Sequence, residues 1–281
     1  MTITVSGGAL LAGALENVRY EVVPVSDVAA ISEGLPEGAR VTITSSPRLG
    51  LERSISAAEE LARSGFQVVP HLTARQIRDE TELSGIIDRL VNAGIDDIMV
   101  LAGDASSPAG PYTSSLDLLR YLDKTGNPFS QIGIAGYPEG HPALSSEGLR
   151  QALRSKVPFA TYIVTQLCFS PDAVARWLDT IRSDGIHLPV YVGIPGKVSQ
   201  RRLLSMASKI GVGDSLRFLK RQSGNVFRMM FSSEFDPGDL ILQFEPLLTS
   251  SNGIAGFHVY TFNAIPATEE WRLEMLHNLP R

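Results

Sequence analysis

The sequence predicts an α/β protein: a single (β/α)8 barrel of the TIM type that forms one catalytic domain over residues 1–281. Short runs rich in β-branched residues alternate with longer amphipathic segments from end to end, which is typical of βα units around a parallel sheet. Eight such runs occur without a Pro/Gly/Ser-rich linker between them, and eight βα units in about 250 residues favour a closed barrel. An open Rossmann sheet is the alternative, but no Gly-x-Gly-x-x-Gly motif follows the first strand.

The short runs predict eight strands, each bounded by turn-forming residues. They cover residues 20–25, 41–44, 66–72, 97–101, 132–137, 161–169, 190–194 and 257–262.

The segments between them predict helices, because apolar residues recur at spacings of three and four. These helices cover residues 51–63, 80–92, 116–123, 147–155, 173–182 and 203–210. Ser170 and Pro171 form a helix start signal, an N-cap followed by a first-turn proline. Glycines that follow the helical runs indicate their ends: Gly65, Gly94, Gly126, Gly185 and Gly211. Residues 213–251 are too long for a simple loop and predict extra helices in the seventh crossover.

Charge and composition limit the kinds of partner that the protein can be expected to bind. The formal net charge is −5 with both signs scattered along the chain, so no basic stripe is present for nucleic acid. Cys168 is the single cysteine and forms no internal disulfide. The N-terminus lacks the basic region of a signal peptide, and no apolar run is long enough to span a bilayer. We therefore expect a cytoplasmic protein without a membrane partner, which acts on a small molecule; a homo-oligomer is compatible with the sequence.

Polar residues are dense at the C-terminal ends of the predicted strands, where (β/α)8 enzymes build their active sites. Glu21 lies in an otherwise apolar strand, where an ionised carboxylate needs partners, and this favours a catalytic acid over a capped surface Glu. Asp104 after Gly103 is equally compatible with an Asx turn. His71 and Gln166 are equally compatible with structural hydrogen bonding.

Two other kinds of site are disfavoured. No pair of His or Cys has the spacing of metal ligands, so no metal is expected. No Gly-x-Ser-x-Gly motif marks a serine nucleophile. A carboxylate acid among stacking and hydrogen-bonding groups suits a planar heterocyclic ligand.

Six motifs in order, each at a predicted strand end, resemble the methylenetetrahydrofolate reductase family, and the resemblance covers nearly the whole chain. The first strand's Tyr-Glu-Val-Val-Pro is similar to the family's Phe-Glu-Phe-Phe-Pro, and Pro-His-Leu-Thr is identical to its third-strand motif. Leu-Ala-Gly-Asp resembles Leu-Arg-Gly-Asp at strand four. The other three motifs are residues 137–142 (YPEGHP), 165–169 (TQLCF) and 258–263 (HVYTFN).

The resemblance implies roles for residues of this chain. Glu21 is implied to protonate N10 of the folate, Asp104 to favour the iminium cation by its negative charge, and Gln166 to hydrogen-bond the pterin ring. The cofactor-binding positions are implied to be Thr44, His71, Gly103, Tyr137, His141 and Tyr260. The implied reaction reduces methylenetetrahydrofolate with hydride from NADH or NADPH.

FAD is the family's usual cofactor, but an arginine that helps to hold it is replaced, and so is a second arginine typical of the family. Ala102 stands where an arginine precedes Gly-Asp, and Ala264 follows Asn263 where an arginine is typical. Residues 188–196 and 263–268 resemble an actinobacterial branch in which some members work without flavin. Two alternatives stay open: a barrel that binds folate or flavin without turnover, and a reductase of another pterin or one that uses a deazaflavin.

Overall fold

The structure is a computed structural model that describes residues 7–24, 28–203, 234–249 and 252–279. The strands are β1 Arg19–Val22, β2 Arg40–Ile43, β3 Gln67–Thr73, β4 Asp97–Leu101, β5 Gln131–Gly136, β6 Tyr162–Leu167, β7 Val190–Pro195, β8 Val198–Ser199, β9 Glu234–Phe235 and β10 Ile254–Tyr260. Eight of them close into a barrel in the order β1-β10-β7-β6-β5-β4-β3-β2, and β8 and β9 form a separate antiparallel pair. The closed barrel confirms the predicted fold class.

Nine α-helices have both ends within the described residues. They are α1 Gly7–Glu16, α2 Val28–Gly34, α3 Leu51–Arg63, α4 Glu80–Asn92, α5 Ser115–Thr125, α6 Ser146–Lys156, α7 Pro171–Ser183, α8 Gly238–Phe244 and α9 Ile265–Asn278. Short 3-10 turns follow β3, α6 and α8 at Ala74–Gln76, Val157–Phe159 and Glu245–Leu247.

All eight predicted strands are found, and the differences lie at their ends. The last strand was expected to reach residue 262, but β10 ends at Tyr260 because Phe262 has a positive φ of 49°, which no strand residue adopts. The predicted helices at 51–63 and 80–92 match α3 and α4. The sequence patterns did not predict α1, which is rich in glycine, or α2, which has seven residues; short or glycine-containing helices depend on tertiary packing.

The seventh crossover is described in part. α8 lies there as an extra helix, as predicted. The predicted helix at 203–210 lies outside the described residues beyond Leu203, as does Gly211. The predicted N-cap at Ser170 is present, since its hydroxyl accepts the Ala173 N–H at 3.2 Å.

The chain divides into two compact units, and the first consists of Arg19–Ala135 and Leu153–Ile163. In it β1 to β5 pair in parallel and in register, with Glu21 opposite Thr42. A buried cluster lies at the starts of its strands, where Arg19 donates to Asp97 at 3.1 Å and Tyr162 donates to Asp97 at 2.6 Å. Burial raises the pKa of the Asp97 carboxyl, although Arg19 and the Tyr162 hydroxyl act in the opposite direction. Such a cluster at the N-terminal ends of barrel strands stabilises the fold.

The second unit consists of Met1–Val18, Gly136–Ala152 and Val164–Arg281. Here β7 and β10 pair in parallel, with a register shift between Ile254 and Gly256. α1 and α9 are joined by Arg272, which donates to the Leu15 carbonyl at 3.1 Å. None of the helices described in either unit has the length and apolar character needed to cross a membrane.

Candidate functional site

The residues singled out from the sequence lie in the C-terminal parts of their strands or in the loops that follow them. Five of them belong to the first unit: Glu21, Thr44, His71, Gly103 and Asp104. The other four belong to the second unit: Tyr137, His141, Gln166 and Tyr260. The contacts within each unit are described separately.

Glu21 and His71 form a buried pair in the first unit. Glu21 Oε2 lies 3.9 Å from His71 Nε2, and the side chains are 13% and 7% exposed. Strand register explains the approach: Glu21 is opposite Thr42, Thr42 is opposite Val69, and His71 is two residues further along β3. Residues in register, and those two apart on one strand, share a face of the sheet. A carboxyl group with little access to water is thereby held beside an imidazole, an arrangement suited to acid–base chemistry.

Thr44 and Thr73 extend the same unit's polar surface. Thr44 continues the ladder past β2, since its N–H donates to the Val22 carbonyl at 2.9 Å. Gln76 Nε2 donates to the hydroxyls of Ser45 and Thr73, both at 2.8 Å. These bonds fix the segments that follow β2 and β3.

Gly103 and Asp104 begin the loop after β4. Gly103 has a φ of +86°, and a Cβ there would lie 2.9 Å from Thr73 Cβ, so glycine is required both by conformation and by space. Asp104 is exposed, and its carboxylate makes no hydrogen bond or ion pair with the residues that the structure describes. The Asx turn considered from the sequence is therefore not formed, and the charge is open to a ligand.

In the second unit Gln166 is oriented by its neighbours. Its Oε1 accepts from the Leu167 N–H at 3.1 Å and lies 3.4 Å from the Tyr260 hydroxyl. Among the described residues its Nε2 has no hydrogen-bond partner, so this donor is available to a ligand. Gly193 permits the arrangement, because a Cβ there would meet the Tyr260 ring at 2.7 Å and the Gln166 carbonyl at 2.9 Å.

Cys168 follows Gln166 closely and is buried. Burial raises the pKa of its thiol well above the usual range, and the nearby Glu139 carboxylate acts in the same direction. A thiol held in its protonated form is a poor nucleophile, which agrees with a structural role.

The segment after β5 carries Tyr137 and His141, whose rings meet edge to face with centroids 5.2 Å apart. His141 Nδ1 accepts the Ala143 N–H at 3.2 Å, so a neutral His141 carries its proton on Nε2.

Glu139, which the sequence patterns gave no role, lies between these two rings in sequence. Its Oε1 accepts the N–H groups of Phe169 and Ser170 at 2.6 and 2.7 Å. The carboxylate therefore anchors the segment that joins β6 to α7. The only sign of this role in the sequence is that Glu139 is the acidic residue of the Tyr-Pro-Glu-Gly-His-Pro motif.

The turn after β10 is strained. Phe262 and Asn263 have φ values of 49° and 63°, which are uncommon for residues other than glycine and are a genuine outlier for a bulky side chain. Tyr260 stacks on Phe262 with ring centroids 6.3 Å apart. Strain of this kind concentrates at functional sites.

In the described part of the chain, no group of three or more His, Cys, Asp and Glu residues is placed to hold a metal ion.

Comparison with known proteins gives one family. A sequence model of the family described as methylenetetrahydrofolate reductase matches residues 24–213. Methylenetetrahydrofolate reductase 2 of Saccharomyces cerevisiae is 28% identical over 245 residues, which cover 77% of this chain and 37% of that protein.

Two further relatives carry nicotinamide cofactors in their names. Methylenetetrahydrofolate reductase (NADH) 1 of Arabidopsis thaliana is 26% identical, covering 50% of this chain and 27% of the relative. The probable methylenetetrahydrofolate reductase (NADPH) of Caenorhabditis elegans is 31% identical, covering 49% of this chain and 22% of the relative. The chain thus spans well under half the length of each of these relatives.

Proposed function

Because the chain belongs to the methylenetetrahydrofolate reductase family, we propose that it reduces 5,10-methylenetetrahydrofolate to 5-methyltetrahydrofolate with hydride from NADH or NADPH, as a single catalytic domain. The observation that carries this proposal is Glu21, a carboxyl that is 13% exposed at a strand end, beside His71. The names of relatives include both NADH and NADPH forms, so either donor is compatible with the family.

Glu21 acts as the general acid. Its carboxyl proton goes to N10 of the folate, the bond from N10 to the bridging methylene carbon breaks, and a cationic iminium forms between that carbon and N5. Hydride from the nicotinamide then adds to the methylene carbon and gives the methyl group. Glu21, which gave up its proton, is left as the carboxylate. A carboxyl at a strand end with little solvent contact is placed to deliver a proton to a bound substrate.

Asp104 and Gln166 bind and stabilise the folate. The open carboxylate of Asp104 offers a negative charge to the developing iminium, and an interaction that strengthens as charge develops lowers the barrier. The unpaired Nε2 donor of Gln166 suits an acceptor atom on the pterin ring, and its amide is already held by Leu167.

The dinucleotide is assigned to Thr44, His71, Gly103, Tyr137, His141 and Tyr260. FAD does not fit the residues present, because Ala102 stands where the family has an arginine that helps to hold the flavin, and its methyl side chain offers no donor to a pyrophosphate. The proposal is therefore direct hydride transfer from NADH or NADPH to the folate, without flavin.

The variant Glu21→Gln tests the assignment. It removes the proton but keeps the shape, so we expect kcat for nicotinamide oxidation with methylenetetrahydrofolate to fall by roughly a hundredfold or more. Folate should still raise the melting temperature of the variant, because binding is retained. Glu37→Gln is the matched control, since Glu37 is exposed in the loop before β2 and should leave kcat unchanged.

Wild-type turnover in Glu21→Gln would contradict the role of Glu21. A wild-type protein that is stabilised by folate but oxidises neither NADH nor NADPH would contradict the enzymatic function and favour a binding protein.

A further inference from the structure

We propose that Arg75 is a positioning residue for the reaction, because it holds the loop after β4 in the conformation that presents the Asp104 carboxylate. The inference rests on the proposed function, in which Asp104 faces the cationic intermediate. Arg75 lies in the 3-10 turn after β3.

Arg75 binds this loop at several points along its length. Its guanidinium donates to the carbonyls of Ala105 at 2.6 Å, Ser106 at 2.8 Å and Thr113 at 3.5 Å. Its backbone N–H donates to the Ala102 carbonyl at 3.0 Å, and its own carbonyl accepts the Ala109 N–H at 2.9 Å. One residue therefore bonds to the loop before Asp104, directly after it, and at the far end.

The chemistry of these bonds indicates a positional role. Among the described residues Arg75 has no acidic partner, and the hydrogen bonds of its side chain go to three backbone carbonyls. The rigid fork of a guanidinium can hold several carbonyls at once, which a lysine ammonium on a flexible stem does less well. Arg75 thus fixes the path of the loop backbone.

Asp104 depends on this backbone for its position. Its carboxylate has no hydrogen bond or ion pair within the described residues, so no side-chain contact orients it. The preceding Gly103 lies against Thr73 with a φ of +86°, which limits the loop on one side, while Arg75 bonds to Ala102 and Ala105 on either side of the pair. Loss of the guanidinium should displace Asp104, although Arg75 itself is not proposed to contact the folate.

A double-mutant cycle with Arg75→Lys and Asp104→Asn tests the coupling through kcat. We expect Arg75→Lys to lower kcat roughly ten- to a hundredfold, the scale expected for a displacement of about 1 Å. In the double variant kcat should fall no further than in Asp104→Asn alone, since the displaced group has already been neutralised. Multiplicative losses would show that Arg75 acts independently of Asp104 and would overturn the inference.

Native-state cleavage by chymotrypsin at Tyr112 provides a readout that does not depend on activity. Tyr112 is buried near the far end of the loop, and releasing the loop in Arg75→Lys should raise its cleavage rate roughly tenfold as local opening becomes easier. An unchanged cleavage rate would overturn the claim that Arg75 holds the loop. A raised rate with wild-type kcat would overturn its role in positioning.

Arg182→Lys is the matched control. Arg182 also donates to backbone carbonyls, those of Ile186 at 2.6 Å, Leu188 at 3.0 Å and Asn252 at 2.8 Å, in segments that precede β7 and β10. We expect it to lower thermal stability while leaving kcat and cleavage at Tyr112 unchanged; a kcat loss equal to that of Arg75→Lys would assign the effect to general destabilisation. If Asp104→Asn alone keeps wild-type kcat, the proposed role of Asp104 fails, and the Tyr112 cleavage rate still reports whether Arg75 holds the loop.

Discussion

The Tyr260 hydroxyl is a single group with a specific expected effect on folate binding. It lies 3.1 Å from the Thr165 carbonyl and 3.4 Å from Gln166 Oε1. Tyr260→Phe removes the hydroxyl and leaves the Gln166 amide held by Leu167 alone, so we expect KM for folate to rise roughly two- to tenfold, the scale of one hydrogen bond. Because Gln166 binds the pterin before and during the reaction, kcat should change less than KM.

Steady-state kinetics at varied folate concentration measure this split. Tyr121→Phe is the control, since the Tyr121 ring packs edge to face on Tyr112 in the first unit and is expected to leave KM unchanged. A fall in kcat with unchanged KM in Tyr260→Phe would show that the hydroxyl takes part in the chemical step instead.

A second prediction for a single residue concerns Lys156 and the pH dependence of the protein's stability. It is 8% exposed with no ion pair to a described residue, and burial lowers the pKa of its ammonium from 10.5 to about 8. Between these pH values the unfolded chain binds a proton that the folded chain lacks, so stability should rise with pH across that window. Lys156→Met should raise the free energy of unfolding at pH 7 by up to about 3 kcal/mol and abolish the rise.

Urea denaturation at several pH values between about 7 and 10.5 measures both effects. Lys124→Met, a change at an exposed position on α5, is the control and should leave the pH dependence intact. A pH profile identical in wild type and Lys156→Met would contradict the prediction.

At the scale of elements, Glu139 couples the segment after β5 to the start of α7. Glu139→Ala leaves the N–H groups of Phe169 and Ser170 without their acceptor, and we expect the free energy of unfolding to fall by about 3 kcal/mol. Glu139→Gln keeps an accepting oxygen and loses the charge, so its cost should be about 1 kcal/mol.

Chemical denaturation of both variants gives the order of these losses. Glu147→Ala on α6 is the control, because Glu147 is exposed and its Oε2 lies 3.8 Å from Arg150; such surface pairs contribute at most about 1 kcal/mol. Equal losses in Glu139→Gln and Glu139→Ala would show that charge, and not the accepting oxygen, holds the segment.

For the whole molecule, local pattern was sufficient to predict the barrel. Helices such as α3 and α4 have apolar residues at regular spacing, and the strands of the barrel are short apolar runs between turn residues, so periodicity identified both. The pattern was weak for α1, which is rich in glycine, and for α2, which has seven residues. Such helices depend mainly on tertiary packing for their stability. The strained pair Phe262 and Asn263 ended β10 early, since backbone strain leaves no periodic signal.

The sequence proposed residue types for the candidate site but not the contacts around them. Glu21, Asp104 and Gln166 were identified from motifs at strand ends. The segments around the site are held by contacts of Arg75, Glu139 and Tyr260, whose partners include backbone groups distant in sequence. Backbone donors and acceptors are the same at every residue, so a sequence pattern does not indicate which loop an arginine or a glutamate will bind.

The cofactor requirement is a prediction for the whole protein. Ala102 offers no side-chain donor to a flavin pyrophosphate, so we expect freshly purified protein to lack the visible absorption bands of a flavin. It should oxidise NADH or NADPH when methylenetetrahydrofolate is present, and added FAD should not raise the rate.

Ala102→Arg is the informative variant, because it returns one guanidinium to an exposed position directly after β4. We expect this variant to bind FAD more tightly than wild type does. A yellow wild-type protein whose flavin bands bleach with the nicotinamide would contradict direct transfer, and would mean that other groups hold the pyrophosphate in place of the arginine lost at Ala102.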